Sequence, residues 1–459
     1  MDYDDFELQL SAGRRGYELE VECAEGEDRV PVEWGPQTHG LTEIYDRFHG
    51  VAGRCVSKSR IESPDGEAAD SDAAGLDDLE NIGRELFSLL FPTKVAILWH
   101  RCRARAAEGG RGLRLRIHVD LRREAVAWFG TLPWELLYDE DSGGFLALDG
   151  RTPVVRYLDM RRPRRTFPVA QRLRVLVVMP EPYGAPRIDL ARERENLVEA
   201  WDEDERVELV FPDRATFDGV REAMAPGPIH AIHFMGHGVF DERTGWGGLV
   251  LDGSTGGQAP IVGLQVGDLV RGVEPPPALV VLNGCESGRT SPLDSRWAFA
   301  GAASALMEAG VQAVVAMQLP IADDEAIHFS EILYRGLQDG HPVDRAVSEA
   351  RLSLRQAFQE PTWATPALFM RVPDGRLFEG AIHSGSEVPG PSEKRRAPVN
   401  GIKSTLDIGE LDGSDVRHVG REGRFGGDQR NGPTNVTTKI GKATDIKIEQ
   451  VGVRTERRQ

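Results

Sequence analysis

From residue 171 onward the chain alternates short, continuously apolar runs with stretches of helical spacing. The runs cover 173–179, 207–211, 229–235, 278–282 and 313–317, and the helical stretches fall near 188–201, 214–224, 295–309, 323–339 and 343–358. A strand without a polar side is one covered on both faces, and strands that alternate with helices pair in parallel because the crossover needs a helix. The pattern predicts an α/β fold with a mainly parallel central sheet over 171–380. Ligands in such sheets bind beyond the carboxyl ends of the strands.

Upstream the period changes. Phe6-Glu-Leu-Gln-Leu10 and Tyr17-Glu-Leu-Glu-Val21 alternate apolar and polar residues, as short strands do, so residues 1–75 read as a β-rich region. Residues 62–80 read as an acidic loop rich in Gly, Ala and Ser, and 77–91 as a helix with Leu79, Ile82, Leu86, Leu89 and Leu90 on one side. Two further strands follow, an alternating one at 113–119 and another at 152–157, within a second region spanning 76–170.

Beyond residue 380 the signals change again. Residues 381–400 have the Pro, Gly, Ser and charged composition of a linker. The tail, 401–459, carries a repeat, T-x2-I-G-x9-V-G, once at Thr405, Ile408, Gly409, Val419 and Gly420 and again at Thr437, Ile440, Gly441, Val451 and Gly452, 32 residues on. Two matching β-prone units predict stacked rungs or a small sheet. The plainer alternative is a local hairpin or a flexible tail.

Composition narrows the function classes. The 459 residues are 40% hydrophobic, enough for a substantial core, and carry a net charge of −18. The tail from 391 on holds 14 Lys and Arg against 10 Asp and Glu, so the first 390 residues carry −22. That is the wrong sign for a nucleic-acid-binding body; it suits basic peptide segments, or is simply a soluble surface. No apolar run reaches the roughly 18–20 residues of a membrane span, and the acidic start lacks the features of a signal peptide, so a cytoplasmic location is expected. Cys23, Cys55, Cys102 and Cys285 show neither C-x-x-C nor metal-ligand spacing and read as reduced thiols.

The candidate chemistry sits at two strand ends. His237 lies between Gly236 and Gly238 just past the third apolar run, and Cys285 follows Gly284 just past the fourth. A free thiol is only a few per cent ionised near neutral pH, and an imidazole that takes its proton makes it a working nucleophile. Either residue alone would more simply be part of the core; together, at one edge of a predicted parallel sheet, they form a candidate catalytic dyad. His230 and His233, inside the strand, read as structural. Asp252 and Asp268 are carboxylates available for a cationic substrate side chain, although both also suit turns beside Gly253 and Gly267, and Glu286 either shapes the pocket or is simply solvated.

Gly236-His-Gly238, Asn283-Gly-Cys-Glu-Ser-Gly288, Leu132-Pro-Trp-Glu-Leu-Leu-Tyr138 and Thr152-Pro-Val-Val-Arg156, in that company, resemble the CHAT family of caspase-like, separase-related cysteine peptidases over residues of about 80 to 375. The resemblance implies a caspase-type α/β sandwich and hydrolysis of peptide bonds in a protein substrate, with no metal or cofactor. His237 would be the general acid and base, Cys285 the nucleophile, and the amides of Gly238 and Cys285 the oxyanion hole. Basic-specific relatives such as metacaspases carry Asp two residues before the nucleophile; here that residue is Asn283, so a carboxylate for cleavage after Arg or Lys must come from elsewhere. The repeated tail is similar to amyloid-type signalling motifs, which implies recruitment by a sensor protein or homo-oligomerisation through 401–459 in bacterial defence. Two rival readings are a catalytically silent adaptor docking through its tail, and an α/β-hydrolase-type enzyme that would use His328 or His341.

Overall fold

The computed structural model describes residues 1–379 except most of 36–67, 159–171 and 181–205, all of 242–245 and 285–291, and a few positions singly or in pairs; beyond them it describes 404–408, 419–425, 436–440 and 451–457. Residues Met1–Gly385 form one compact unit and Ser386–Gln459 another.

In chain order the principal strands of the first unit are β1 (Tyr3–Gly13), β2 (Gly16–Cys23), β3 (Gly26–Val32), β4 (Gly112–His118), β5 (Val154–Tyr157), β6 (Leu173–Val178), β7 (Val207–Val210), β8 (Ala231–Gly236), β9 (Gly238–Asp241), β10 (Trp246–Asp252), β11 (Gln258–Val262), β12 (Leu279–Gly284), β13 (Ala313–Met317) and β14 (Pro366–Met370). All but β9–β11 join a single 11-stranded sheet in the order β7-β6-β8-β12-β13-β14-β5-β4-β1-β2-β3. The five strands from β7 to β13 run parallel. β14 turns against β13, and parallel pairing resumes through β5 and β4 to β1. The sheet ends in the antiparallel meander β1-β2-β3.

Burial explains the two sequence patterns. Every residue of β8 and β13 is buried, which is why these strands read as unbroken apolar runs, and β14, not among the predicted strands, is buried throughout as well. The edge strand β3, by contrast, is largely exposed and carries Glu27, Asp28 and Arg29, charges that discourage pairing with another chain. β4 combines both cases. Its sequence alternates, yet its polar side is buried as well: Arg114 reaches Asp5 at 3.1 Å and Asp344, while Arg116 reaches Asp5 at 2.7 Å and Glu7 at 2.6 Å.

The longer helices are α1 (Ala68–Leu90), α2 (Thr93–Glu108), α3 (Phe217–Met224), α4 (Pro292–Ala309), α5 (Asp323–Gln338) and α6 (Val343–Phe358). The acidic stretch that reads as a loop up to residue 80 is helical from Ala68. Alanine, frequent in this stretch, favours helix. α3 starts at Thr216, whose hydroxyl oxygen accepts a hydrogen bond from the Gly219 amide at 3.1 Å. All but two positions of the helix expected near 188–201 lie outside the described residues. Among the described residues no helix is long and apolar enough to cross a membrane.

In the second unit, β15 (Ser404–Ile408), β16 (Val419–Phe425), β17 (Val436–Ile440) and β18 (Val451–Arg457) form two parallel pairs, β15 with β17 and β16 with β18. Both pairs join the two sequence repeats strand for strand.

Candidate active site

β8 and β12 lie side by side in parallel register, ending with Gly236 opposite Gly284. His237 is the next residue on the first strand, and Cys285 is the next after the second. Adjacent strands stand roughly 4.8 Å apart. Cys285 and Glu286 themselves lie outside the described residues.

His237 occupies the corner between β8 and β9, half-buried, and its carbonyl oxygen accepts a hydrogen bond from the Val250 amide at 3.0 Å. Burial lowers its pKa below the ordinary imidazole value, because the charged ring loses hydration. Gly238 opens the antiparallel sheet β9-β10-β11, pairing with Leu249. That hairpin is held from the other side by α4, the helix that follows the cysteine segment. A Cβ at Gly301 would stand 2.6 Å from the backbone nitrogen of Gly247, so helix and hairpin meet backbone to backbone.

A buried polar chain runs beneath the two strand ends. The Asn283 side-chain amide donates to Nε2 of His233 at 2.8 Å, which puts the ring proton on Nδ1, 3.2 Å from the Tyr334 hydroxyl on α5. His233 is wholly buried and its pKa is lowered to about 3, so the ring is neutral. His230 is also buried, and its Nδ1 accepts from the Arg174 amide at 2.9 Å. Asn283, two positions before Cys285, thus ties β12 to β8 and α5.

The three carboxylates stand in different surroundings. Asp252 ends β10, where its amide donates to the Ala215 carbonyl at 3.0 Å. It lines a cleft of about 360 Å³ with Val177, Met179, Phe211 and Asp213 at the carboxyl ends of β6 and β7. Two arginines also line this cleft; Arg194 lies over the Phe211 ring at 3.9 Å, and Arg214 donates to the carbonyls of Gly253 and Ser254. Asp268 ends the short helix Leu264–Asp268 and pairs with Arg271 at 3.2 Å.

One strand along the same edge, where Gln318 follows the end of β13, the Trp134-Glu135 and Val155-Arg156 motifs meet in an ionic cluster invisible in the linear chain. Arg156 forms a two-pronged pair with Glu135, and Gln318 donates to the same carboxylate at 2.7 Å. Arg351 approaches Glu135 to 3.6 Å, and all four side chains are buried. Burial lowers the Arg351 pKa to about 10.

Among the described cysteines, Cys102 has its pKa pushed up to about 12 by burial and then by the neighbouring Cys23 thiol, the opposite of nucleophile activation. Among the described residues, the grouping able to hold a metal ion is His100, Asp139 and Asp141. Asp139 is already paired with Arg103 at 2.6 Å and His100 with Asp141 at 3.1 Å, which suits a structural ion-pair cluster.

Comparison with known proteins adds the following. No curated protein sequence matches the chain. Two solved structures of the Saccharomyces cerevisiae separase–securin complex, at 2.6 and 3.0 Å resolution, are similar at 10% sequence identity, with TM-scores of 0.41 and 0.39; the alignments cover 80% of this chain and 30% of those chains. A family model described as the CHAT domain matches residues 81–374. That match takes in the strand ends bearing His237 and Cys285, the Glu135–Arg156 cluster and well over half of the sequence, and the chain belongs to the CHAT domain family.

Proposed function

We propose that this chain is a caspase-like cysteine endopeptidase with Cys285 as nucleophile and His237 as general acid and base. The observation that carries the reading is the register of β8 on β12, which sets Gly236 opposite Gly284 immediately before the two residues. The half-buried, neutral imidazole supports it, because a base must be unprotonated to accept a thiol proton.

The steps balance without a cofactor. His237 takes the proton of the Cys285 thiol as the sulfur bonds to the scissile carbonyl carbon and an electron pair moves onto the carbonyl oxygen. The amides of Gly238 and Cys285 hold that oxyanion. The imidazolium returns its proton to the leaving amine as the C–N bond breaks, leaving a thioester. Water, losing a proton to His237, then attacks the thioester, and the thiolate departs and recovers that proton.

Cleavage after Arg or Lys belongs to the same reading. Its support is the acidic first 390 residues and Asp252 on the cleft at the strand ends, with Asp268 and Glu286 as further carboxylates for the substrate cation. A cytoplasmic role in bacterial defence, switched on by a sensor or partner protein, rests on the family resemblance. The test is a peptide library profiled with wild type, Cys285→Ala and His237→Ala, with circular dichroism to confirm folding. Wild-type cleavage after basic residues and none by folded variants is the expected result. Cleavage by Cys285→Ala overturns the assignment, and a full biological effect from that variant favours a docking adaptor.

A further inference from the structure

Two of the chain's four cysteines, far apart in the sequence, lie within hydrogen-bonding reach of each other. Cys23 is the last residue of β2, half-buried, and its thiol donates to the Gly26 carbonyl oxygen at 3.4 Å. Cys102 is a buried residue of α2. Contacts that do not involve sulfur hold the two elements together on either side of the pair. Arg101 and Arg105, just before Cys102 and nearly one turn beyond it, both reach the turn that follows Cys23. Arg101 pairs with Glu25 at 2.7 Å, and Arg105 pairs with Glu25 and donates to the Ala24 carbonyl oxygen, each at 2.9 Å. On the other side Phe6, which stands opposite Cys23 across β1 and β2, meets Trp99 of α2 edge to face with ring centroids 5.3 Å apart. Directly opposed residues of neighbouring strands share one face, so Cys23 is turned toward the helix together with Phe6.

The two thiols differ in what they can do. Burial, and then the adjacent Cys23, push Cys102 up to about 12, so its thiol stays protonated and shielded. Cys23 reaches solvent and can meet a small oxidant first. A disulfide forms where two sulfurs converge without backbone movement, and here the backbone segments that carry them are already fixed on both sides.

We propose that Cys23 and Cys102 form an oxidation site, closed by a hydroperoxide into a reversible disulfide that clamps the turn between β2 and β3 onto α2. The Cys23 sulfur, giving up its proton, bonds to one peroxide oxygen as the O–O bond breaks. The departing oxygen takes up that proton, which leaves a sulfenic acid on Cys23 and one water when the oxidant is hydrogen peroxide. The Cys102 sulfur then bonds to the Cys23 sulfur, the S–O bond breaks, and the departing hydroxide takes the Cys102 proton as a second water. The two sulfurs together lose two electrons, which reduce one peroxide, and a dithiol restores both thiols by exchange. Cys23 belongs to the meander β1-β2-β3 and Cys102 to the CHAT-matched stretch 81–374, so oxidation ties the one covalently to the other. The inference does not depend on the peptidase reading.

The test uses the full chain carrying Cys55→Ser and Cys285→Ala, which leaves Cys23 and Cys102 as its two thiols. The folded protein is treated with hydrogen peroxide, its free thiols are counted, and non-reducing digests are read by mass spectrometry. Both thiols should disappear together into one intramolecular Cys23–Cys102 cross-link that dithiothreitol reverses, and amide hydrogen exchange over Gly26–Val32 should slow by about tenfold or more in the oxidised form. With Cys102→Ala added, dimedone should capture a sulfenic acid on Cys23; with Cys23→Ala added instead, Cys102 should keep its thiol. A cross-link that is absent, that joins separate molecules or that forms only in urea overturns the site. Oxidation of Cys102 at an undiminished rate without Cys23 overturns it as well, and equal exchange in the two forms overturns the clamp.

Discussion

The Asn283–His233–Tyr334 chain has a measurable signature. An unfolded imidazole titrates near 6.5, whereas the buried His233 titrates at about 3. Between those values the unfolded chain binds a proton that the folded chain refuses. This group's contribution is therefore intact above about pH 6.5 and is lost as pH falls toward 3, by roughly 1.4 kcal/mol per pH unit. Urea unfolding of wild type and His233→Gln, at about pH 7 and about pH 5, should show the stability gap between them narrowing with acid; a constant gap contradicts the assignment. His237 predicts a pH–rate profile instead. With its pKa depressed by burial, kcat/KM for a peptide substrate should hold through about pH 6.5 and fall on an acid limb below it, and a limb above neutrality would identify a different base. At Glu135, replacement by Gln leaves the buried Arg156 and Arg351 facing a neutral amide, and denaturant melts should register a loss of about 3–5 kcal/mol. His237 and Cys285 stand out as candidates in the sequence because each lies beside glycine within three residues of the end of an apolar run. The roles of Glu135 and Asn283 do not, because Glu135 finds Arg156 and Gln318 21 and 183 residues away, and Asn283 finds His233 50 residues back.

At the scale of elements, the hairpin after His237 and the helix after the Cys285 segment are braced by the contact of Gly247 with Gly301. Gly301→Val puts a branched side chain where a Cβ alone would lie 2.6 Å from backbone that has no rotamer to yield. Overpacking of this kind costs about 1–3 kcal/mol, and because it pushes on elements that continue from both strand ends, turnover should fall while circular dichroism stays native. Turnover equal to wild type would show that the brace does not reach the site. The five apolar strands were legible to within two residues at each end, since burial on both faces leaves an unbroken run in the four inner ones, while the half-buried edge strand β7 is betrayed by Val207, Leu209 and Val210. The start of α1 at Ala68 was not, because Gly, Ser and Asp disguise a helix favoured by its alanines.

Across the whole molecule, the −22 carried by the first 390 residues predicts that kcat/KM for Arg- or Lys-containing peptides falls as salt rises from about 50 to about 500 mM, while a neutral peptide is little affected. Parallel behaviour of the two peptides would remove long-range steering from the account. Deleting 401–459 should abolish recruitment by a partner in a pull-down yet leave basal peptidase activity unchanged, because Met1–Gly385 is compact by itself. Sequence by itself determined what is written among neighbouring residues: the α/β alternation, the reactive side chains at two strand ends, and the 32-residue repeat. Tertiary structure decided what depends on distant partners. It placed β8 beside β12 with Gly236 opposite Gly284, drew β1–β4 into the same sheet, and paired each strand of the first tail repeat with its counterpart in the second. Periodicity reports which face of an element is buried, but strand order, register and buried charge pairs are fixed only when remote segments exclude water together.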